Sequence, residues 1–445
     1  MHTAIDTKAE PLDRDVWRIA LPMILSNISV PLLGMVDTGV TGHLEDAAYL
    51  GAVAVGATIF GFLYTGMNFL RMGTTGIAAQ RFGADDPEGL QTSLGQAVIV
   101  ALVIACLLLL LQRPIGTFAF DLLGAGPAVT GYAREYFSIR IWSAPATLAN
   151  YALIGWFIGL QNARIPLLIV VVANTVNIVL DLAFVVGLGM TVDGVALASV
   201  IAEFSGLTVG LAFAARELRR RGGAWDTGQL IAPGAYRAFL SINVHLFVRT
   251  LSLMFTFAFV TAQGARLGGL VLAANAILMN LQNLLSFALD GFAHAAEALV
   301  GKATGSGSRK ALQNAVRITL RWSLYVSVGF FILFLVGGPV FVNLLTDLPA
   351  VRETTLRYLP WMIASPLVSV WSFLYDGVFV GATRAREMRD IMLISAFTVF
   401  LPAWYLLQFL GNDGLWLAFL LFMASRGLGM HYYYRTRVLQ ALAAR

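Results

Sequence analysis

Charge is scarce in this chain. Only 12% of its 445 residues are Asp, Glu, Lys or Arg, while 58% are hydrophobic. A soluble domain carries about 25% charged residues, so water cannot solvate the surface of such a chain. The scarcity excludes a soluble enzyme or binding module and identifies a polytopic membrane protein. Strict polar–apolar alternation is lacking too. Barrel strands alternate over roughly 10 residues, whereas VIVALVIACLLLLL and LWLAFLLFMASRGLGMHYYY stay apolar for much longer. A spanning backbone must satisfy its own hydrogen bonds, which leaves the α-helix. The single cysteine, Cys106, lies in an apolar run and permits no disulfide within the chain. No GxxxxGK[ST] or HExxH motif occurs, so nothing suggests ATP as the driver or an intramembrane zinc enzyme. Nothing at the start reads as a cleavable signal, because MHTAIDTKAEPLDRD mixes both signs before a long apolar segment.

What is present is a series of twelve candidate helices, at about 16–41, 49–80, 91–112, 130–159, 164–187, 193–215, 236–262, 270–300, 312–336, 354–382, 389–410 and 413–434. The net charge of +5 does not indicate nucleic acid, because the basic residues gather at the ends of apolar runs. The loops on the termini's side hold Arg81, Arg164, Arg216, Arg219, Arg220, Arg221, Lys302, Arg309, Lys310, Arg384, Arg386 and Arg389, whereas the opposite loops hold fewer. Basic loops stay inside, so both termini are expected in the cytoplasm of a bacterial-type inner membrane.

The longest polar interruption, RELRRRGGAWDTGQLIAPGAY, falls near mid-chain and prompts a search for a repeat. Gly155-Trp156-Phe157-Ile158-Gly159 with Arg164 aligns with Gly377-Val378-Phe379-Val380-Gly381 and Arg386, an offset of 222 residues (377 minus 155). VAVGA (53–57) matches LAANA (272–276) at an offset of 219 (272 minus 53). Six helices per half give parallel repeats about an axis along the membrane normal. The expected fold is all-α, with twelve transmembrane helices in two pseudo-symmetric six-helix lobes around a central cleft. Its expected parts are a tail at 1–15, an N-lobe at 16–215, a linker at 216–235, a C-lobe at 236–434 and a tail at 435–445. This is the build of an alternating-access transporter.

A transporter without ATP needs a coupling ion, and ionisable groups inside the membrane are the places to look. Asp37 lies in PLLGMVDTGV, with no Lys or Arg within a helical turn. In ANTVNIVLDLAF, Asn174, Asn177 and Asp181 stand at i, i+3 and i+7, on one helical face. Asp37, Asp181 and Ser199 each fall roughly 8–9 Å inside the outer helix ends, at 1.5 Å per residue. One site is therefore expected from three helices. Two carboxylates close together in low dielectric cannot both ionise easily, so the pair would hold a proton. Alternatively, the oxygens of Asp37, Asn177, Asp181 and Ser199 would cage Na⁺ by hard-cation rules.

The second half has Asp290, Glu297 and Asp376, which would either attract a cationic substrate or pair with Arg249 and other basic groups. Glu203 and Arg71 are open to the same two readings. Met35 is one of several Met and aromatic residues suited either to packing or to contact with flat, cationic molecules. Pro22, Pro31 and Gly34 mark possible hinge points in the first helix, each proline removing a backbone hydrogen bond.

LPMILSNISVPLLGMVDTGVTGHL, GIAAQRFGADD, ANTVNIVLDLAF and the repeated GxFxG…R segments together resemble the MATE multidrug exporters, and the DinF subgroup in particular, from about Val16 to Tyr434. The resemblance implies twelve helices in two lobes and export of chemically diverse, mostly cationic and lipophilic compounds against H⁺ or Na⁺. It implies a protonation role for Asp37 and places an N-lobe cation site on Asp37, Asn177, Asp181 and Ser199. Some branches carry a Glu in the seventh helix for a C-lobe Na⁺ site. Here that helix has Arg249 and no acid, a departure that favours H⁺. The expectation is an antiporter for hydrophobic organic cations, with no cofactor, membrane lipid and small amphiphiles as partners, no nucleic acid, and a monomeric state. The alternative is a flippase for a lipid-linked precursor or amphiphile.

Overall fold

The structure is a computed structural model and describes residues 12–42, 46–124, 126–223 and 227–441. Among them ten helical segments are long and apolar enough to cross a membrane. They are α1 (Asp13–Thr41), α2 (Ala47–Gly83), α3 (Pro87–Leu110), α5 (Arg164–Gly187), α6 (Val192–Arg221), α7 (Gly234–Arg266), α8 (Gly269–Gly305), α9 (Arg309–Leu345), α10 (Pro349–Gly381) and α11 (Ala385–Leu410). Two more complete the twelve. They are α4 (127–159), which passes through a 3₁₀ turn at Ile141–Ser143, and α12 (Asn412–Tyr433). Side-chain caps start several of them. Asp46 accepts from the Ala48 backbone N–H and Asp86 from that of Gly89, both at 2.8 Å. Some helices run further than hydropathy alone indicates, as α6 does to Arg221 and α9 to Leu345. A short helix at Gln112–Leu123, read from sequence as loop, exposes Phe118 and Leu122.

The chain divides into two compact units. One comprises Leu25–Arg81 and Asp86–Phe239, the other Met1–Ile24, Phe82–Asp85 and Leu240–Arg445. The chain thus passes between units inside α1. The first unit has an aromatic core in which Phe60 stacks on Phe137 at 5.3 Å and Phe120 meets Phe137 edge-on. The segment that sequence reads as a linker is tied to α3 of this unit. Gln91 Nε2 donates to the Gly222 carbonyl, and Gln96 Nε2 to those of Gln229 and Ala235. The second unit packs around Trp416, Phe419, Phe422, Phe400 and Met362. There Asn275 and Asn412 exchange amide hydrogen bonds at 2.7 and 2.9 Å, and Trp416 Nε1 donates to Asn275. The start of α1 belongs to this second unit, where Trp17 lies edge-on to Phe292 and Trp322 Nε1 donates to Asp13 at 2.7 Å.

The repeat is visible as a packing device. A Cβ on Gly155 would lie 2.3 Å from the Arg71 carbonyl, and one on Gly377 would lie 2.2 Å from that of Ala293. Gly159 likewise closes on Thr75 and Ala79, and Gly381 on Glu297 and Gly301. Each C-terminal residue is 222 beyond its counterpart (377 minus 155, 293 minus 71). The left-handed residues after these helices, Gln161 and Thr383, keep the same offset. The sequence match of VAVGA with LAANA at 219 is not reproduced. The paired helices Ala47–Gly83 and Gly269–Gly305 begin and end in step at 222.

Candidate functional site

Four helices of the first unit bring oxygen and nitrogen groups together. The carboxyls of Asp37 on α1 and Asp181 on α5 stand beside one another, close enough to interact directly. A hydrogen bond between two carboxyls needs a proton on one of them. Asp181 is 0% exposed, Asn177 1% and Ser199 7%, whereas Asp37 is half-buried. With its amide turned to satisfy both ends, Asn177 donates to Asp181 Oδ2 at 3.3 Å and accepts from the Ser199 backbone N–H at 3.1 Å. The spacing of Asn177 and Asp181 at i and i+4 on α5 puts them on one face. A π-helical turn at Leu182–Gly187 follows Asp181 directly.

The sequence reading missed a member of this site. It finds no Lys or Arg within a helical turn of Asp37 and names no basic group for the pair, but Arg140 of α4 stands beside both acids. Its guanidinium donates to Ser199 Oγ at 3.0 Å and to the Tyr136 hydroxyl, and lies 5.4 Å from the centre of the Phe60 ring. The signal was available, because REYFSIRIW places an Arg well inside a span, far from the loop where arginines set topology. Asn174 leaves the expected cluster. Its Nδ2 donates instead to Ser29 Oγ at 3.1 Å and to the Ser29 carbonyl. That contact and the Asp37–Asp181 pair tie the C-terminal half of α1 to α5 at two levels. Between them α1 is otherwise open, with Val30, Leu32 and Met35 exposed, Met35 at 70%. Pro22, Pro31 and Gly34 lie within a helix that runs unbroken from Asp13 to Thr41.

Asp376 of the second unit is engaged by two arginines. Asp376 Oδ2 accepts from Arg249 and, at 2.7 Å, from Arg426 Nη2. Arg426, which sequence reasoning passed over, is buried on α12 and feels Asp290 as well. Glu297 lies 3.4 Å from the His294 imidazole. Asp376 thus has the basic partners that the pairing reading needs. Removing one partner of a buried ion pair costs about 3–5 kcal/mol. Asp376→Asn is therefore expected to lower the melting temperature sharply in detergent, and Asp376→Leu with Arg426→Met should recover part of the loss. An unchanged melting curve for Asp376→Asn would contradict a structural pair.

Two bundles of apolar helices, with an acid–acid contact inside one of them, describe a polytopic membrane carrier. The MatE family model matches residues 22–183 and 246–406, one stretch in each half. The chain is similar to DNA damage-inducible protein F of Escherichia coli (strain K12), with 44% identity over 418 residues, covering 94% of this chain and 91% of that one. Among solved structures, one described as MATE in the bent conformation superposes with a TM-score of 0.90 at 18% identity, covering 98% of this chain and 97% of that one. Another, described as MATE in the straight conformation, gives 0.86 at 19% identity, covering 99% and 98%. The chain belongs to the MatE family. It is a membrane transporter of the multidrug and toxic compound extrusion class and not an enzyme.

Proposed function

We propose that this transporter exports hydrophobic organic cations by exchange with protons, alternating access between its two lobes, from an inner membrane in which both termini face the cytoplasm. The observation that carries the reading is the close approach of the Asp37 and Asp181 carboxyls. A proton binds there directly, and its loss leaves two like charges facing each other at close range. Na⁺ has the same oxygens available, but Arg140 holds Ser199 Oγ and adds a positive charge beside them. A second cation is disfavoured in that field. Deprotonation would release the outer half of α1 from α5 at the Asp37 level. Because the chain crosses between units at Ile24 and Leu25, α1 is a covalent route by which that change reaches the second unit. Arg140 is also the feature that speaks for an anionic amphiphile, the flippase reading. Its engagement by Ser199, Tyr136 and the two acids leaves it a poor receptor for a further anion.

The test is transport into proteoliposomes with the two gradients imposed separately. A proton gradient alone is expected to drive uptake of an ethidium-like cation, and a Na⁺ gradient alone to leave it unmoved. Transport under the Na⁺ gradient only would overturn proton coupling, and transport of anionic amphiphiles without either gradient would favour the flippase.

A further inference from the structure

The first unit contains a third intramembrane acid that the carboxylate pair does not use. Glu203 stands four residues beyond Ser199 on α6, on the same helical face and about 6 Å further inward. Its Oε2 accepts from Asn150 Nδ2 at 3.1 Å, and the same nitrogen donates to the Glu203 carbonyl. Among the described residues no basic side chain bonds it. The charged and titratable groups that face it are Arg140 and, through space, Tyr64 of α2 and Tyr151 of α4, with Arg71 beyond Tyr151.

A row of polar groups joins this acid to the pair. Arg140, Ser143, Thr147 and Asn150 recur along one face of α4 at spacings of three and four. Arg140 bonds Ser199 at the level of the pair. Ser143 Oγ is 2.8 Å from the Tyr64 hydroxyl. Thr147 sits beside both Tyr64 and the Glu203 carboxyl. Along the row, Asp181 Oδ1, Arg140 Nε, Thr147 Oγ1 and Asn150 Oδ1 are buried without a protein hydrogen-bond partner. Each such atom carries the desolvation penalty of an unmade hydrogen bond. In a packed apolar unit this is tolerable where polar groups line a path that water can bridge.

We infer that Glu203 is a second proton-holding station of this unit, reached from Asp37 and Asp181 along the Ser143–Tyr64–Thr147 row. In the transfer an O–H bond breaks at the pair and one forms at the Glu203 carboxylate. The intervening hydroxyls each gain and lose one proton, and Arg140 keeps its own, steadying the row as it is charged in turn. The inference rests on the reading of Asp37 and Asp181 as proton carriers.

The experiment is infrared difference spectroscopy of the full-length protein in lipid nanodiscs between acid and neutral pH, followed in the C=O band of protonated carboxyls. Glu203→Gln is expected to remove one component and leave another, and Asp37→Asn with Asp181→Asn to remove the complementary one. Thr147→Val should keep both components and slow substrate-driven proton exchange by about a hundredfold, the lower end of what a positioned proton-transfer group contributes. A Glu203→Gln spectrum identical to that of the parent would overturn the station. Parental exchange in Thr147→Val would overturn the route. If the Asp37/Asp181 variant loses no component while Glu203→Gln does, the coupling reading fails and the protonation of Glu203 stands.

Discussion

Asp37→Asn is expected to reduce substrate-driven proton exchange to that of protein-free vesicles while the protein stays folded. Asparagine has nearly the size of aspartate, and its Nδ2 can donate to Asp181 as a protonated carboxyl does. The contact that ties α1 to α5 therefore survives in its engaged form. What is lost is the ability to give the proton up, so the repulsion that frees α1 never develops. The measurement is proton flux on addition of a lipophilic cation, with the melting curve as the folding control. The fold is insensitive for a further reason: Asp37 is half-buried, and Ser29 with Asn174 provides the second tie 3.1 Å apart. Full exchange by a well-folded Asp37→Asn protein would exclude the pair from coupling. The same substitution at Asp181 is expected to act in the same way on flux, but with some loss of stability, since Asp181 is 0% exposed and one of its oxygens already lacks a protein partner.

The helices were legible because hydropathy and periodicity are local, and the twelve spans agree with sequence to within several residues at most ends. The glycine repeat was legible at Gly155–Gly159 because a helix cannot approach another backbone that closely with any side chain in the way. The weaker VAVGA match misled, since small residues recur in such helices wherever packing allows them. In the site, the i, i+3, i+7 face of α5 was readable as geometry, but which of its members meet was not. Asn174 and Asp181 both contact α1, at Ser29 and at Asp37, and only tertiary structure sorts those partners. Arg140 and Arg426 were overlooked for one reason. Most arginines were read as topology markers, with Arg249 and Arg71 the exceptions, and Arg140 and Arg426 also lie mid-helix, where a cation needs an acid or an aromatic ring as partner. Arg140 has both, and Arg426 bonds Asp376 and lies 5.3 Å from the Phe422 ring centre.

Gly377→Ala is expected to lose about 3 kcal/mol or more of stability, the upper end of the cost of overpacking. The added Cβ would stand 2.2 Å from the Ala293 carbonyl oxygen and 2.9 Å from its carbon and Cα. No side-chain rotation relieves a contact with backbone, so α10 and α8 must separate. That opens the core around Leu285, Leu289, Met362 and Val370. Gly155→Ala, 2.3 Å from the Arg71 carbonyl, is expected to do the same between α4 and α2. Gly329→Ala is the control. No atom lies within 4 Å of its added Cβ, and replacing a mid-helix glycine there should gain about 0.5–1 kcal/mol. Melting temperatures in one detergent decide the comparison, and a Gly377→Ala protein as stable as Gly329→Ala would mean the helices are not in contact as described. The contrast with Asp37→Asn separates two layers of the molecule. The packing device is duplicated, so damage to either copy is damage to the fold. The chemistry is not duplicated: 222 residues beyond Arg140 stands Met362, 0% exposed in the apolar core of the second unit. A substitution in the first unit's site can therefore silence exchange while both copies of the scaffold remain intact.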